Sequence, residues 1–310
     1  MAAAALLLSG CAPVQPQPAP RAAPRIVSLN PCTDAILAEV ADPTQIAALS
    51  AYSGDPASSS MDVALARRFA ATSGTVEEVL ALRPDVVVTG NFTPPATRAA
   101  ITGLGMRLEE VPIAVSVAES KAQVRRIAML AGHPERGEAL ARRIDAALAE
   151  AAPPPGPPIL TVVWQSGGIV PGPRTLIAEL LGRTGFRHAA AERGMKQADF
   201  LPLETMLADP PALILAAGHL HAEEDRLLAH PALAALKHTR REPLDPGLLW
   251  CGGPTIIRAA ERLRAIRAGL GSGASTGSAR AEFVPAPLRL SLSKPRRNLP
   301  PASRIRGGGA

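Results

Sequence analysis

Two distant segments of the chain follow the same order of residue types. Residues 77–90 read EEVLALRPDVVVTG, and residues 204–218 read ETMLADPPALILAAG. Each consists of a glutamate, a short helical pattern, proline, an apolar run and glycine. The proline ends the helix because its ring removes a backbone donor, and the apolar run suits a strand that is buried on both faces. A supersecondary unit that occurs twice predicts two similar lobes.

Strands and helices alternate along the rest of the chain, which predicts the α/β class with mostly parallel sheets. The strand candidates are 25–29, 46–49, 85–90, 107–111, 159–164 and 212–217. A helix opens at Pro31, and the other helix candidates are 77–82, 96–104, 116–131, 134–151, 175–182, 203–208 and 254–269. The pattern at 134–151 would span about 27 Å. We therefore expect two lobes, each a small sheet with flanking helices, bridged by a long backbone helix.

Proline marks the boundaries of this organisation. The chain has 32 prolines, which concentrate in three stretches at 13–24, 153–158 and 285–301. Such stretches behave as semi-rigid linkers. The predicted units are a leader with a Pro-rich spacer at 1–24, an N-terminal lobe at 25–115, a helical bridge at 116–152, a C-terminal lobe at 153–270 and a basic tail at 271–310.

The formal net charge of +6 is confined to that tail. Residues 271–310 contain seven of the 33 basic residues and one acid, Glu282, so the first 270 residues are neutral overall. Nucleic-acid binding needs net positive charge on the folded body, and we therefore expect no nucleic-acid partner. The tail is predicted to be disordered. It would contact anionic lipid, or it is a read-through extension of the coding frame.

Motifs of common enzyme classes are missing from the sequence. No lysine follows a glycine, as a phosphate-binding loop would need, and the patterns H-E-x-x-H and C-x-x-C do not occur. No apolar run reaches the roughly 18 residues that span a bilayer. We expect a monomeric binding protein rather than an enzyme, without a cofactor or a resident metal. A two-lobed metalloenzyme is the alternative from another class.

The N-terminus resembles the lipobox of a bacterial lipoprotein. A short apolar stretch at 2–8 leads into Leu8-Ser9-Gly10-Cys11. The resemblance implies export, acylation of Cys11 and a lipid anchor, with the Pro-rich spacer holding the folded body away from the membrane. A chance LSGC in an Ala-rich leader is the alternative.

Three segments together resemble the periplasmic substrate-binding proteins of ABC importers for cobalamin and ferric siderophores. They are RIVSLNP at 25–31, EEVLALRPDVVVTG and its second-lobe counterpart, and the resemblance extends over about 25–270. It implies a periplasmic or cell-envelope receptor that binds cobalamin or a ferric chelate between its lobes. It also implies delivery of that ligand to a membrane permease and its ATPase. A haem or free-metal receptor of the same fold is the alternative.

The resemblance assigns a docking role to one exposed acid on each lobe, which would meet arginines of the permease. The matching positions are Glu77 and Glu204, with Glu78 as the alternative in the first lobe. Each lies at a predicted helix start, where the helix dipole favours a carboxylate. Simple helix capping is therefore the competing explanation.

Ligand contacts are expected from the loops that follow the strands, because ligands bind at the C-terminal edge of parallel sheets. Four of the eight aromatic residues fall in these loops, namely Tyr52, Phe92, Trp164 and Trp250. Large ligands need broad apolar contacts with a few polar groups. Trp164 ends an apolar strand, so a core position is its alternative.

Cys32 and Cys251 lie in two of these loops, on opposite lobes, and are also candidate ligand contacts. Three interpretations remain open for them: small inert residues, an interlobe disulfide, or thiol contacts with a metal or a metallated ligand. His219 and His221 form an H-x-H motif that could offer two imidazoles to a metal, but no third ligand is evident. Histidines of a surface loop are the alternative.

Overall fold

The computed structural model describes residues 23–196, 198–218 and 230–272. The strands within these residues are β1 Ile26–Ser28, β2 Ile46–Ser50, β3 Ala71–Thr72, β4 Val86–Thr89, β5 Arg107–Glu110, β6 Ile159–Gln165, β7 Ile169–Pro171, β8 Phe186–His188, β9 Ala198–Phe200, β10 Leu213–Ala217 and β11 Arg240–Pro243. The helices are α1 Pro31–Val40, α2 Val63–Ala66, α3 Val76–Leu82, α4 Pro95–Gly103, α5 Val117–Leu130, α6 Pro134–Glu150, α7 Leu176–Arg183, α8 Leu203–Ala208, α9 Pro231–Ala234 and α10 Thr255–Ser272.

The first lobe is built on a five-stranded parallel sheet in the order β3-β2-β1-β4-β5. At its centre Ile26 pairs with Val86 and Val27 with Val87. All four residues of β4 are buried, as expected for a central strand with helices on both faces. The apolar run at 85–90 therefore occupies the place that its composition predicts.

The second lobe repeats this arrangement with a four-stranded parallel sheet in the order β11-β10-β6-β8. The neighbours β2-β1-β4-β5 of the first sheet have their counterparts in β8-β6-β10-β11. An antiparallel pair, β7 and β9, lies beyond the end of β6. The expected α/β fold with two similar lobes is confirmed, and the two segments of the internal repeat correspond to α3-β4 and α8-β10.

One hydrophobic core runs through both lobes and the helices between them. It contains Val88 from the first sheet, Ile144 from α6, Leu263 from α10 and Val163 from the second sheet, all fully buried. Helix α6 packs against α5, against α1 of the first lobe and against α10 of the second. The backbone helix expected at 134–151 is present at Pro134–Glu150, and it shares the junction with α5 and α10. The exact lobe boundaries stay predictions.

Several predictions fall outside the described residues. These are the leader with Cys11, the pair His219 and His221, and the tail beyond residue 272. Among the described helices, none is both long and apolar enough to cross a membrane.

Candidate functional site

Two neighbouring cavities lie at the C-terminal edge of the first sheet. The larger has a volume of about 610 Å³ and is lined by Leu29, Asn30, Pro31, Tyr52, Ser58, Ser73, Gly74, Thr75, Gly90, Phe92, Thr93, Pro94 and Thr97. The smaller has a volume of about 230 Å³ and extends to the segment before α10, where it is lined by Gly247, Trp250, Cys251 and Gly252. The two share Asn30, Pro31, Ser58 and Phe92, so they form one continuous depression, called the ligand cleft below.

The lining of the ligand cleft is uncharged. Among the described residues that line the two cavities, the polar groups are hydroxyls and amides, and no side chain is ionic. The amides come from Asn30, Asn91 and Gln123. Such a surface favours a ligand with apolar faces and neutral polar groups, because an uncompensated charge would lose hydration there without gaining a partner.

Three of the four predicted aromatic contacts lie on the ligand cleft. Phe92 lines both cavities and is 85% exposed, Tyr52 lines the larger and is 61% exposed, and Trp250 lines the smaller and is 49% exposed. Exposed aromatic side chains gathered at one concave surface are typical of a binding site. The loops that carry these three residues therefore meet at one concave surface, and their contact with a ligand stays a prediction.

Trp164 requires a correction, because its side chain does not reach the ligand cleft. It is fully buried in a second core cluster with Val162, Ile214 and Met206. Strand β6 continues to Gln165, so Trp164 lies inside the strand and its indole points into the core of the second lobe. The alternative weighed for this residue, a core position, is the one that the structure has.

Cys32 and Cys251 are joined by a disulfide, which is the second of the three interpretations. Both residues line the smaller cavity. Asn30 caps α1 by accepting a hydrogen bond from the Cys32 backbone N–H at 2.9 Å. With both sulfurs in the bond, neither is a free thiol, so thiol contact with a metal does not apply to this oxidised form.

A glycine brings the Cys251 segment close to the first lobe. Gly253 has a φ of +62°, and a Cβ at this position would lie 2.6 Å from Cγ1 of Ile36. Its backbone N–H donates to the Ser120 hydroxyl of α5 at 2.7 Å. Only a residue without a side chain permits this approach, and the approach places Cys251 opposite Cys32.

Gln123 and Ile113 also line the ligand cleft, although the sequence pattern did not identify them as candidate contacts. Gln123 projects from α5 and donates to the Pro112 carbonyl at 2.7 Å, and Ile113 lies beside it, 37% exposed.

A buried carboxylate lies beneath Tyr52. The Oδ2 atom of Asp34 accepts hydrogen bonds from the Ser50 hydroxyl at 2.6 Å, the Ser53 hydroxyl at 2.7 Å and the Ser50 N–H at 3.0 Å. Burial raises the pKa of Asp34 to about 7, although the serine hydrogen bonds oppose this rise. Oδ1 has no hydrogen-bond partner.

The three candidate docking glutamates differ in what they contact. Glu77 in α3 and Glu204 in α8 are both exposed in the first turn of equivalent helices. Glu78 instead accepts hydrogen bonds from the Thr72 hydroxyl at 2.7 Å and from Ser73, and these bonds hold its pKa below the ordinary value. Glu78 is therefore engaged in its own loop, whereas Glu77 points into solvent.

A resident metal site would need several clustered ligands. In the part of the chain that the structure describes, no group of three or more histidine, cysteine, aspartate or glutamate side chains is close enough to hold a metal ion.

The fold and the cleft define a two-lobed binding protein, and comparison with known families gives the same class. Residues 26–244 match the family described as periplasmic binding protein, and the chain belongs to this family. It is a substrate-binding protein of the kind that serves ABC importers, as expected from the sequence, and the family has a periplasmic location. No curated protein sequence matches the chain.

Solved structures of the same fold include receptors with different ligands. The periplasmic heme-binding protein RhuT from Roseiflexus sp. RS-1 superposes with a TM-score of 0.64 at 23% identity, over 78% of this chain and 96% of that one. Two proteins of Vibrio cholerae are also similar. The heme-binding protein HutB has a TM-score of 0.64 at 18% identity, over 78% of this chain and 98% of HutB. The vitamin B12-binding protein BtuF has a TM-score of 0.60 at 19% identity, over 78% of this chain and 96% of BtuF. At these identities the likeness establishes the fold, and the ligand has to be argued from the cleft.

Proposed function

We propose that this protein captures a cobalamin-type ligand in the ligand cleft and delivers it to the permease and ATPase of an ABC importer. The observation that carries the proposal is the chemistry of the cleft lining, which combines exposed aromatic rings with amides and hydroxyls and has no ionic side chain among the described residues. The protein acts by non-covalent binding and not as an enzyme.

The cleft chemistry matches a corrinoid better than an anionic chelate. A corrin ring offers apolar faces to Tyr52, Phe92 and Trp250, and its peripheral amides can exchange hydrogen bonds with Asn30, Asn91 or Gln123. A ferric catecholate or the propionates of haem carry negative charge, which receptors pair with arginine or lysine. No such cation lines the described cleft.

A ferric ligand, haem in particular, is the second candidate, and Tyr52 is the observation that favours it. Tyr52 is the single tyrosine of the chain and is exposed on the larger cavity. A phenolate oxygen is an established axial ligand of haem iron. Tyr52 would then bind the iron of the cargo, and Phe92 would cover a face of the porphyrin.

Isothermal titration of the full chain with cyanocobalamin, and separately with hemin, tests the proposal. We expect one-to-one binding of cyanocobalamin that weakens at least tenfold in Phe92→Ala and in Trp250→Ala. Binding of hemin alone, with loss of its visible iron–phenolate band in Tyr52→Phe, would establish the second candidate instead. Failure of both ligands to bind would contradict the proposed cargo class.

Delivery requires the receptor to reach the permease, and we propose Glu77 and Glu204 as its docking acids. Both are exposed at equivalent helix starts on the two lobes, and neither has a hydrogen-bond or ion-pair partner among the described residues. Two charges at a fixed separation orient docking more than they strengthen it. We further propose that the receptor is a monomer held at the membrane through acylated Cys11.

A further inference from the structure

The turn that carries Tyr52 is held at both ends by one oxygen atom. Tyr52 lies in a short 3-10 turn, Ala51–Gly54, that follows β2. Ser50 directly precedes this turn and Ser53 lies within it, and both donate their hydroxyls to Oδ2 of Asp34. Asp34 belongs to α1, so this oxygen ties the turn to a different element of the lobe.

We propose that Asp34 is a positioning residue that fixes the Tyr52 phenol at the ligand cleft. Asp34 does not line the cleft and cannot touch a ligand there, because its side chain is fully buried. It acts through Ser50 and Ser53, which flank the exposed Tyr52. The inference rests on the proposed function only for its effect on ligand affinity.

Binding to a turn that is already ordered costs less conformational entropy than binding to a free turn. Tyr52 is 61% exposed, so packing alone leaves its ring with few contacts. Ordering a free side chain on binding has an entropic cost. A turn that is already fixed by three hydrogen bonds to a buried carboxylate avoids part of that cost, because the backbone at residues 50–53 is set before the ligand arrives.

The hydrogen bonds of Asp34 also fit a residue that positions the Tyr52 turn better than one that only stabilises the core. Three donors converge on Oδ2, whereas Oδ1 has no hydrogen-bond partner in this structure. All three donors to Oδ2 come from residues 50–53, which hold Tyr52, and the Ser28 side chain on β1 is a further polar neighbour of the Asp34 carboxyl.

The single tyrosine allows a direct test. Because the chain contains one tyrosine, full-length protein grown with 3-fluorotyrosine gives a single ¹⁹F resonance that reports on residue 52. We expect Asp34→Asn and Ser53→Ala to shift and broaden this resonance. Gln45→Ala is the matched control. Gln45 is also buried and hydrogen-bonded, to the Ala131 carbonyl, but it lies next to the opposite end of β2. This variant should lower the melting temperature without moving the signal.

Ligand affinity provides the second readout, with cyanocobalamin and hemin as probes. We expect Asp34→Asn to weaken binding of the recognised probe about three- to tenfold, the equivalent of one hydrogen bond. In a Tyr52→Ala background the same change should have no further effect, since Asp34 acts through Tyr52. Additive losses, or a ¹⁹F signal in Asp34→Asn and Ser53→Ala that is identical to wild type, would overturn the inference. If Tyr52→Ala alone leaves both affinities unchanged, the ligand role proposed for Tyr52 fails, and the ¹⁹F signal still decides the positioning role.

Discussion

Cys32 and Cys251 stand 219 residues apart in the sequence, and their disulfide brings the two Cα atoms to 4.9 Å. The bond joins the start of α1 to the segment that enters α10, and both residues line the ligand cleft. A covalent link between α1 and the segment that precedes α10 fixes one wall of the cleft relative to the other. It therefore limits the opening of the lobes on the side where the smaller cavity lies.

Removal of this disulfide should lower stability strongly. A cross-link that closes a long loop restricts the unfolded chain, and in the loop-entropy account such a bond contributes about 3–5 kcal/mol. We expect the Cys32→Ser/Cys251→Ser double variant to lose about this much free energy of unfolding in a urea titration. Wild-type protein unfolded in the presence of a reducing dithiol should match the double variant. A double variant as stable as the oxidised wild type would contradict the disulfide.

Substitution of the buried tryptophan should lower stability, whereas substitution of the exposed tryptophan should weaken ligand binding. Trp164 is fully buried, so Trp164→Ala should cost about 3–5 kcal/mol of unfolding free energy and leave the cleft lining unchanged. Trp250 is half exposed on the cleft, so Trp250→Ala should cost less than about 1 kcal/mol. Chemical unfolding gives the free energy of unfolding of each variant, and ligand titration gives its affinity. Loss of binding in a folded Trp164→Ala protein would contradict the core position.

The sequence predicted the sheets well because their central strands carry a strong signal. Residues 86–88 and 212–217 are apolar throughout, which is typical of strands covered on both faces, and both segments lie in interior strands. The edge strands β3, β8 and β11 escaped prediction, as did the antiparallel pair β7 and β9. Residues 240–243 read RREP and are half exposed, so neither alternation nor an apolar run distinguishes them from a loop.

The ligand cleft was predictable only as far as strand ends could be located. Tyr52, Phe92 and Trp250 follow predicted strands or precede a predicted helix, and the rule for parallel sheets placed them together. Trp164 was misplaced because the sequence does not reveal whether β6 ends before or after Gln165. The contact between Asp34 and Ser53 depends on how α1 packs beside β2, and no local pattern encodes such packing.

When both exposed acids are removed, the receptor should still bind its ligand but should no longer dock to the permease. We expect the Glu77→Ala/Glu204→Ala variant to bind cyanocobalamin or hemin with wild-type affinity, because neither residue lines the cleft. It should not support ligand uptake by cells that lack the native receptor. Glu78→Ala is the control, since its carboxylate is bonded to Thr72 and Ser73 rather than free in solvent. Uptake at the wild-type level by the double variant would contradict the docking assignment.

The buried Asp34 should make stability depend on pH near neutrality. Its pKa is about 7 in the folded protein against an ordinary value of 3.8, so between these values the unfolded chain releases a proton that the folded protein keeps. The stabilisation that the protonated Asp34 gives to the folded protein is complete below pH 4. It declines as the pH rises to 7 and is lost above that pH. The slope approaches about 1.4 kcal/mol per pH unit.

The measurement compares the free energies of unfolding of wild type and Asp34→Asn at pH 5, 6, 7 and 8. The variant lacks the titrating group, so its stability relative to wild type should rise between pH 5 and 7 and then level off. Asp55→Asn is the control, because hydrogen bonds from the Ala57 N–H and the Ser58 hydroxyl lower the pKa of Asp55, and its difference from wild type should stay flat over this range. Parallel pH profiles for wild type and Asp34→Asn would show that Asp34 is ionised in the folded protein throughout, which would contradict a pKa raised by burial.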